Sequence, residues 1–167
     1  MDHVIAYTAA DGGLAIVRPV ATPAAGETEA AFLSRLAAMV VPPEAREIQV
    51  LPASALPDDR LFRAAWRAGP AGGVVIDLAC ARVLRLGQIR AARDRLLARL
   101  DGPMLRALEA GNQPDLAHLQ ARLQARLQAR RQALRDLPAL AGAALASLSN
   151  PADLAAFWPD DLGGEQP

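Results

Sequence analysis

Hydrophobic positions change their spacing more than once along the chain. From His3 to Val20 they alternate loosely around Asp11-Gly12-Gly13, with Val4, Ile5 and Tyr7 before the break and Leu14, Ile16 and Val17 after it. Glycine accepts the positive φ of a tight turn, so this spacing predicts a β-hairpin. Ala31, Phe32, Leu36 and Met39 then recur at helical intervals behind Thr28, a residue suited to cap a helix, and Pro42-Pro43 stops it. A third strand is expected over about Glu47 to Leu51.

Pro57-Asp58-Asp59 reads as a helix start, because aspartate accepts the free amides of a first turn and its charge suits the dipole. That helix would carry Leu61, Phe62, Ala65 and Trp66 and end at Gly69-Pro70. Val74-Val75-Ile76 fits a short strand or an ordered lead-in to a helix equally well. From Asp77 onward almost every residue is a helix former. Leu86, Ile89, Leu96, Leu97 and Leu100 mark one side of a long helix, with a break expected at Asp101-Gly102-Pro103. Met104, Leu105 and Leu108 would continue onto a shorter helix, followed by a second break at Gly111-Asn112-Gln113-Pro114. Leu116, Leu119, Leu123, Leu127, Leu134 and Leu137 mark a second long helix, antiparallel to the first, as short connections usually impose.

Within this second helix the tetrad Leu-Gln-Ala-Arg occurs three times, from Leu119 to Arg130. Four residues overshoot a helical turn by about 40°, so the leucines drift around the surface instead of holding the seam of a long coiled coil. The drift brings Arg130 near the angular position of Leu119, where it must snorkel, pair with an acid or face a partner. Beyond Pro138 an alanine-rich stretch leads to Asn150-Pro151-Ala152-Asp153, a second helix-start signal, and then to a loose tail from Gly163. The expected fold class is therefore α+β. A small head of β-hairpin and mixed sheet occupies residues 1–76, a C-terminal antiparallel helical hairpin 77–138, and an alanine-rich segment with a short helix 139–167.

Composition narrows the chemistry. The 167 residues carry 38 alanines and 25 leucines, and all 18 basic residues are arginine, which favours helix. With no lysine, Schiff-base catalysis and a phosphate-loop lysine are excluded. One cysteine, Cys80, and two histidines, His3 and His118, fall short of a Cys/His zinc site, and Cys80 reads as a small buried thiol. The adjacent acids Asp58/Asp59 and Asp160/Asp161 sit beside prolines and read as caps or solvated surface. Gly12-Gly13 and Gly72-Gly73 lack a phosphate-cradling pattern. No catalytic, metal or cofactor residues are expected, and the protein is read as a non-enzyme. The longest weakly polar stretch, Leu137 to Leu148, contains Pro138 and Gly142 and is well short of the roughly 20 residues that span a bilayer. The Met-Asp-His start lacks the basic and apolar regions of a signal peptide, so a protein with no membrane segment and no export signal is expected.

The net charge is +0, yet Arg82 to Arg135 holds 12 arginines against Asp94, Asp101, Glu109 and Asp115, a local balance of +8. Such a stretch attracts nucleic acid, but the arginines scatter around the helices with no recognition motif or stacking aromatics. Intramolecular pairing or a protein interface is favoured, with a basic accessory protein that binds nucleic acid as the alternative. Trp66 and Trp158 follow helical apolar residues and read as core, while Trp158-Pro159 also fits a docking anchor.

The motif order resembles that of small proteins encoded near tail-fibre genes in tailed phages and prophages, the phage tail assembly chaperone and tail-fibre assembly group. The matching patches are the Asp11-Gly12-Gly13 hairpin and a complete P-x-D-R-x-F-R-x-A-W stretch from Pro57 to Trp66. Ile76-Asp77-Leu78, Ile89 to Asp94, Met104 to Gly111, the R-Q-x-L-R-D-x-P run from Arg131 to Pro138, and the terminal Trp158-Pro159 follow in order. The resemblance implies a non-enzymatic protein that binds a tail or fibre component, as an assembly chaperone in the bacterial host cytoplasm or as a subunit of the virion tail, with homo-oligomerisation open. The expected partner interface is Arg122, Arg126, Arg130, Trp158 and Pro159.

Overall fold

A computed structural model describes residues 2–70, 72–109 and 117–163. The expected break at Gly111 to Pro114, Leu116, the side chains of Met104, Leu108 and Leu119, and the tail beyond Gly163 lie outside the described residues. The fold is α+β, with sheet structure near the N-terminus and helices after it. Two compact units divide the chain, Met1–Ala81 and Arg82–Pro167.

In the first unit β1 (His3–Thr8) pairs antiparallel with β2 (Leu14–Val17) and with β3 (Arg46–Pro52), giving the order β2-β1-β3. The β1–β2 turn is the expected Asp-Gly-Gly: Gly12 sits at φ 81°, and Asp11 Oδ1 accepts the Gly13 amide at 2.9 Å. Between the pairs Ala6↔Gln49 and Thr8↔Arg46, Glu47 and Ile48 oppose Tyr7 alone, so β3 carries a bulge, with Glu47 at φ 51°.

Alternation along β1 sends side chains to two faces. Val4 and Ala6 join Leu51, Leu14, Ile16, Leu56 and Val74 on one of them. Ile5 meets Phe32, Leu33 and Leu36 of α1 (Glu29–Val40) on the other. Thr28 caps α1 by accepting the Ala31 amide, and Glu29 in the first turn takes a 2.8 Å contact from His3. The buried stripe of α1 is Phe32-Leu33-Leu36-Ala37; Ala31 and Met39, expected on it, face solvent.

Pro57 to Trp66 departs from expectation. Leu61, Phe62, Ala65 and Trp66 have helical spacing, but only Arg63–Ala65 makes a single 3-10 turn, and Trp66 opens β4 (Trp66–Ala68). The alternative that wins is pairing. Trp66↔Ile76 and Ala68↔Val74 join β4 to β5 (Val74–Ile76), which settles Val74-Val75-Ile76 as a strand. The glycines of the loop permit this turn, with Gly72 and Gly73 both at φ 86°. Gln49 Oε1 accepts the Gly73 amide and ties the hairpin to β3. Phe62, Ala65 and Trp66 are buried all the same.

The helices are longer than expected. α2 (Leu78–Glu109) runs through Asp101-Gly102-Pro103, and α3 (Ala117–Ser147) through Pro138. Each proline removes one main-chain donor, an effect of about 3 kcal/mol, and the strong formers on both sides outweigh it. Asp77 Oδ1 accepts the amides of Ala79 and Cys80 and so caps α2. Arg82 of α2 meets the carbonyls of Leu145 and Leu148, whereas Asp101 meets Arg131, so α2 and α3 are antiparallel. In the second unit Ile89 and Ala92 of α2, Leu134, Leu137, Ala141 and Leu145 of α3, and Leu154 and Leu162 are buried. Asn150 caps α4 (Pro151–Ala156) by accepting the Asp153 amide at 2.8 Å, and a 3-10 turn follows at Asp160–Leu162.

Candidate functional site

The arginines of the second unit divide into two sets. Arg82, near the start of α2, donates from Nε to Leu145 O at 3.1 Å and from Nη2 to Leu148 O at 2.6 Å, closing the C-terminal end of α3. Arg85, one turn on, is only 1% exposed. It donates to Phe157 O at 3.0 Å, Ala155 O at 2.7 Å and Gln88 Oε1 at 2.9 Å, and its guanidinium lies 4.8 Å from the centre of the Trp158 ring. Carbonyls at helix ends lack donors of their own, and the planar fork of arginine is well shaped to supply them. Arg130 pairs with Asp161, Nη1 to Oδ1 at 2.9 Å with a second bond to the Asp161 carbonyl, and Arg131 reaches Asp101 at 3.2 Å. Of the three fates open to Arg130, the structure shows pairing.

Arg122 and Arg126 belong to the other set. They lie one turn apart on α3, exposed, and neither has a partner among the described residues. Leu123, between them, is 48% exposed, and Leu127 is half-buried, so the drift of the tetrads is visible in their unequal exposure. Farther along, Ala125, Gln128, Ala129, Gln132 and Arg135 line a shallow hollow on α3. Trp158 and Pro159 are half-buried between α4 and the 3-10 turn. The Trp158 ring lies under Arg85, and its Nε1 is buried with no acceptor among the described residues. The Arg130–Asp161 pair thus brings the Trp158-Pro159 neighbourhood to α3, while Arg122 and Arg126 stand on preceding turns.

The first unit holds a cavity of about 330 Å³. Ile16 of β2, Ala53, Leu56, Pro57 and Trp66 form its apolar wall, and Arg18, Asp58, Arg60 and Arg63 its polar one. Much of the lining comes from the Pro57-to-Trp66 motif, which folds as turns instead of a helix and so turns Asp58, Arg60 and Arg63 toward one space. Asp59 holds that path by accepting the Leu61 amide at 2.8 Å. The sequence reading missed this site. Its signal was the crowding of two arginines and a tryptophan in one motif, but Ile16 and Arg18 arrive from distant β2 and the residue just after it.

The residues weighed for other chemistry are dispersed. Cys80 is half-buried, its thiol 3.9 Å from Ala64 O, and His118 is exposed on α3. Among the described residues no three His, Cys, Asp or Glu side chains gather where they could hold a metal ion, and no helix is long and apolar enough to cross a membrane. Compared with family models, curated proteins and solved structures, the chain matches none.

Proposed function

We propose that this is a non-enzymatic phage tail or tail-fibre protein that binds a fibre or tail component, either as an assembly chaperone in the host cytoplasm or as a subunit of the particle. The observation that carries the reading is the surface of α3 around Arg122, Leu123 and Arg126. Here an exposed leucine lies between two exposed arginines that have no partner among the described residues, and Arg130, one turn on, leads to the Trp158-Pro159 segment. A leucine flanked by cations suits a partner surface that offers an apolar socket with acidic edges. The order of motifs along the chain supplies the tail and fibre context.

The nucleic-acid alternative draws on the same arginines. Arg82, Arg85, Arg130 and Arg131 are engaged within the chain, which lowers the charge left for phosphates. The test is co-purification of the tagged protein with tail and fibre components from infected cells, comparing the wild type with Arg122→Glu/Arg126→Glu. Loss of the partner with an unchanged unfolding curve is the expected result, and unchanged co-purification overturns the reading. A steep salt dependence of binding to DNA or RNA, absent in the double variant, would favour the alternative. Quantitative mass spectrometry of purified particles separates the two roles, since a subunit has a fixed copy number and a chaperone is absent.

A further inference from the structure

The cavity beside Trp66 carries an inference independent of the helical surface. Trp66 is 2% exposed, and its Nε1 is buried without an acceptor among the described residues. The same side chain forms part of the cavity wall, together with Arg18, Arg60 and Arg63. None of these three guanidinium groups has a hydrogen-bonding or ionic partner among the described residues. Asp58 is the single acid on the cavity, which leaves the site with a formal charge of +2 (three arginines less one aspartate). Unpaired cations on one concave surface are what an anionic group requires.

The other wall decides which kind of anion. Ile16, Ala53, Leu56 and Pro57 offer no hydrogen bonds from their side chains, so they reward hydrocarbon and penalise a group that must stay hydrated all round. A volume of about 330 Å³ lies at the small end of ligand sites and fits one apolar side chain or a compact organic acid. We propose that this cavity binds a carboxylate carried on an apolar stem, with the arginines holding the carboxylate and the wall of Ile16, Leu56 and the Trp66 ring holding the stem. The group can come from a small organic acid or from the end of a polypeptide chain, and the chemistry of recognition is the same.

The test follows the Trp66 indole N–H by proton–nitrogen NMR in the full chain, assigned against Trp158→Phe. Titration with 4-phenylbutyrate should shift that resonance saturably, while the neutral isostere 4-phenylbutanol and inorganic phosphate at equal concentration leave it in place. Arg60→Gln and Arg63→Gln, both at exposed positions, should each weaken binding roughly tenfold or more, the scale of one charge-assisted hydrogen bond. Asp58→Asn should tighten it by removing the like charge. An unchanged remainder of the spectrum shows that each variant is folded. A peptide ending in a free leucine carboxylate, run beside its amidated twin, separates the sources. Tighter binding of the free-acid peptide than of phenylbutyrate points to a chain end, and binding of phenylbutyrate alone points to a small acid. Equal responses to the alcohol or to phosphate, arginine variants that bind normally, or no saturable shift with any probe would each overturn the proposal.

Discussion

Replacing Arg85 with methionine keeps an unbranched apolar stem in the core of the helical unit and deletes the guanidinium. At least four contributions are lost, one of them the hydrogen bond to Gln88 Oε1. Hydrogen bonds from a charged donor to the Ala155 and Phe157 carbonyls are worth about 1.5–3 kcal/mol each, and the stacking on Trp158 about 0.5–2 kcal/mol. Against them stands relief from holding a cation at 1% exposure, a penalty of several kcal/mol. The balance is a destabilisation of about 3 kcal/mol, since the two carbonyls lose their donor within a half-buried segment. With a urea slope of roughly 1.5 kcal/mol per molar, the midpoint should fall by about 2 M. Far-UV circular dichroism reads helix loss, and Trp158 fluorescence, separated from Trp66 in a Trp66→Phe background, should shift to longer wavelength before the helices melt. A midpoint within experimental error of wild type would refute the reasoning, for it would mean that water satisfies both carbonyls and the guanidinium holds nothing in place.

Three further outcomes are expected. Pro138→Ala should restore the donor missing opposite the Leu134 carbonyl and stabilise the helical unit by about 1–3 kcal/mol in urea unfolding; a loss of stability would show that the proline ring is part of the packing. The carboxyl of Glu27 is held down from 4.5 to about 2, first by the Arg35 guanidinium that donates to both its oxygens and then by the Ala24 amide. Its contribution to stability is therefore complete above the ordinary carboxylate range and is lost as pH falls toward 2, and in Arg35→Gln a carbon-13 NMR titration should find its midpoint raised toward 4.5, with the Ala24 amide still holding it partly down. Arg130→Ala and Asp161→Ala should each destabilise by about 0.5–1 kcal/mol, with a coupling between them that shrinks in high salt; full additivity would deny the pair any energetic role.

Much of the fold was legible because its signals are local. Asp11-Gly12-Gly13 turns the hairpin, Thr28 and Asn150 cap their helices, and Pro42-Pro43 follows the end of α1. What misled was local too. The spacing of Leu61, Phe62, Ala65 and Trp66 matches a helix, but residues four apart are also buried by a tight turn followed by a strand, and the deciding partner, Ile76, lies ten positions beyond Trp66. Pro103 and Pro138 read as stops because propensity is counted residue by residue, whereas long runs of Ala, Leu and Arg carry a helix across a single lost bond. The candidate sites were legible only in part. Arg122 and Arg126 are exposed, yet nothing near Arg85 marks it as buried, because the carbonyls that accept from it are 70 and 72 residues away. The cavity was hidden for the same reason, since β2 contributes Ile16 and leads into Arg18, far in sequence from Ala53, Leu56 and the motif that supply the rest.

Arg82 and Arg85 grip oxygen atoms that every amino acid carries. Leu145, Leu148, Ala155 and Phe157 are held through main-chain carbonyls. The two arginines therefore recognise a path of the chain and not its spelling. The side chains of those four residues are answerable to packing alone, so the closing segment has latitude to change its outward residues there, and with them whatever it meets, without loosening its attachment to Arg82 and Arg85. The grip itself has no such latitude: lysine at position 82 or 85 would bring one point charge where two divergent donors are used.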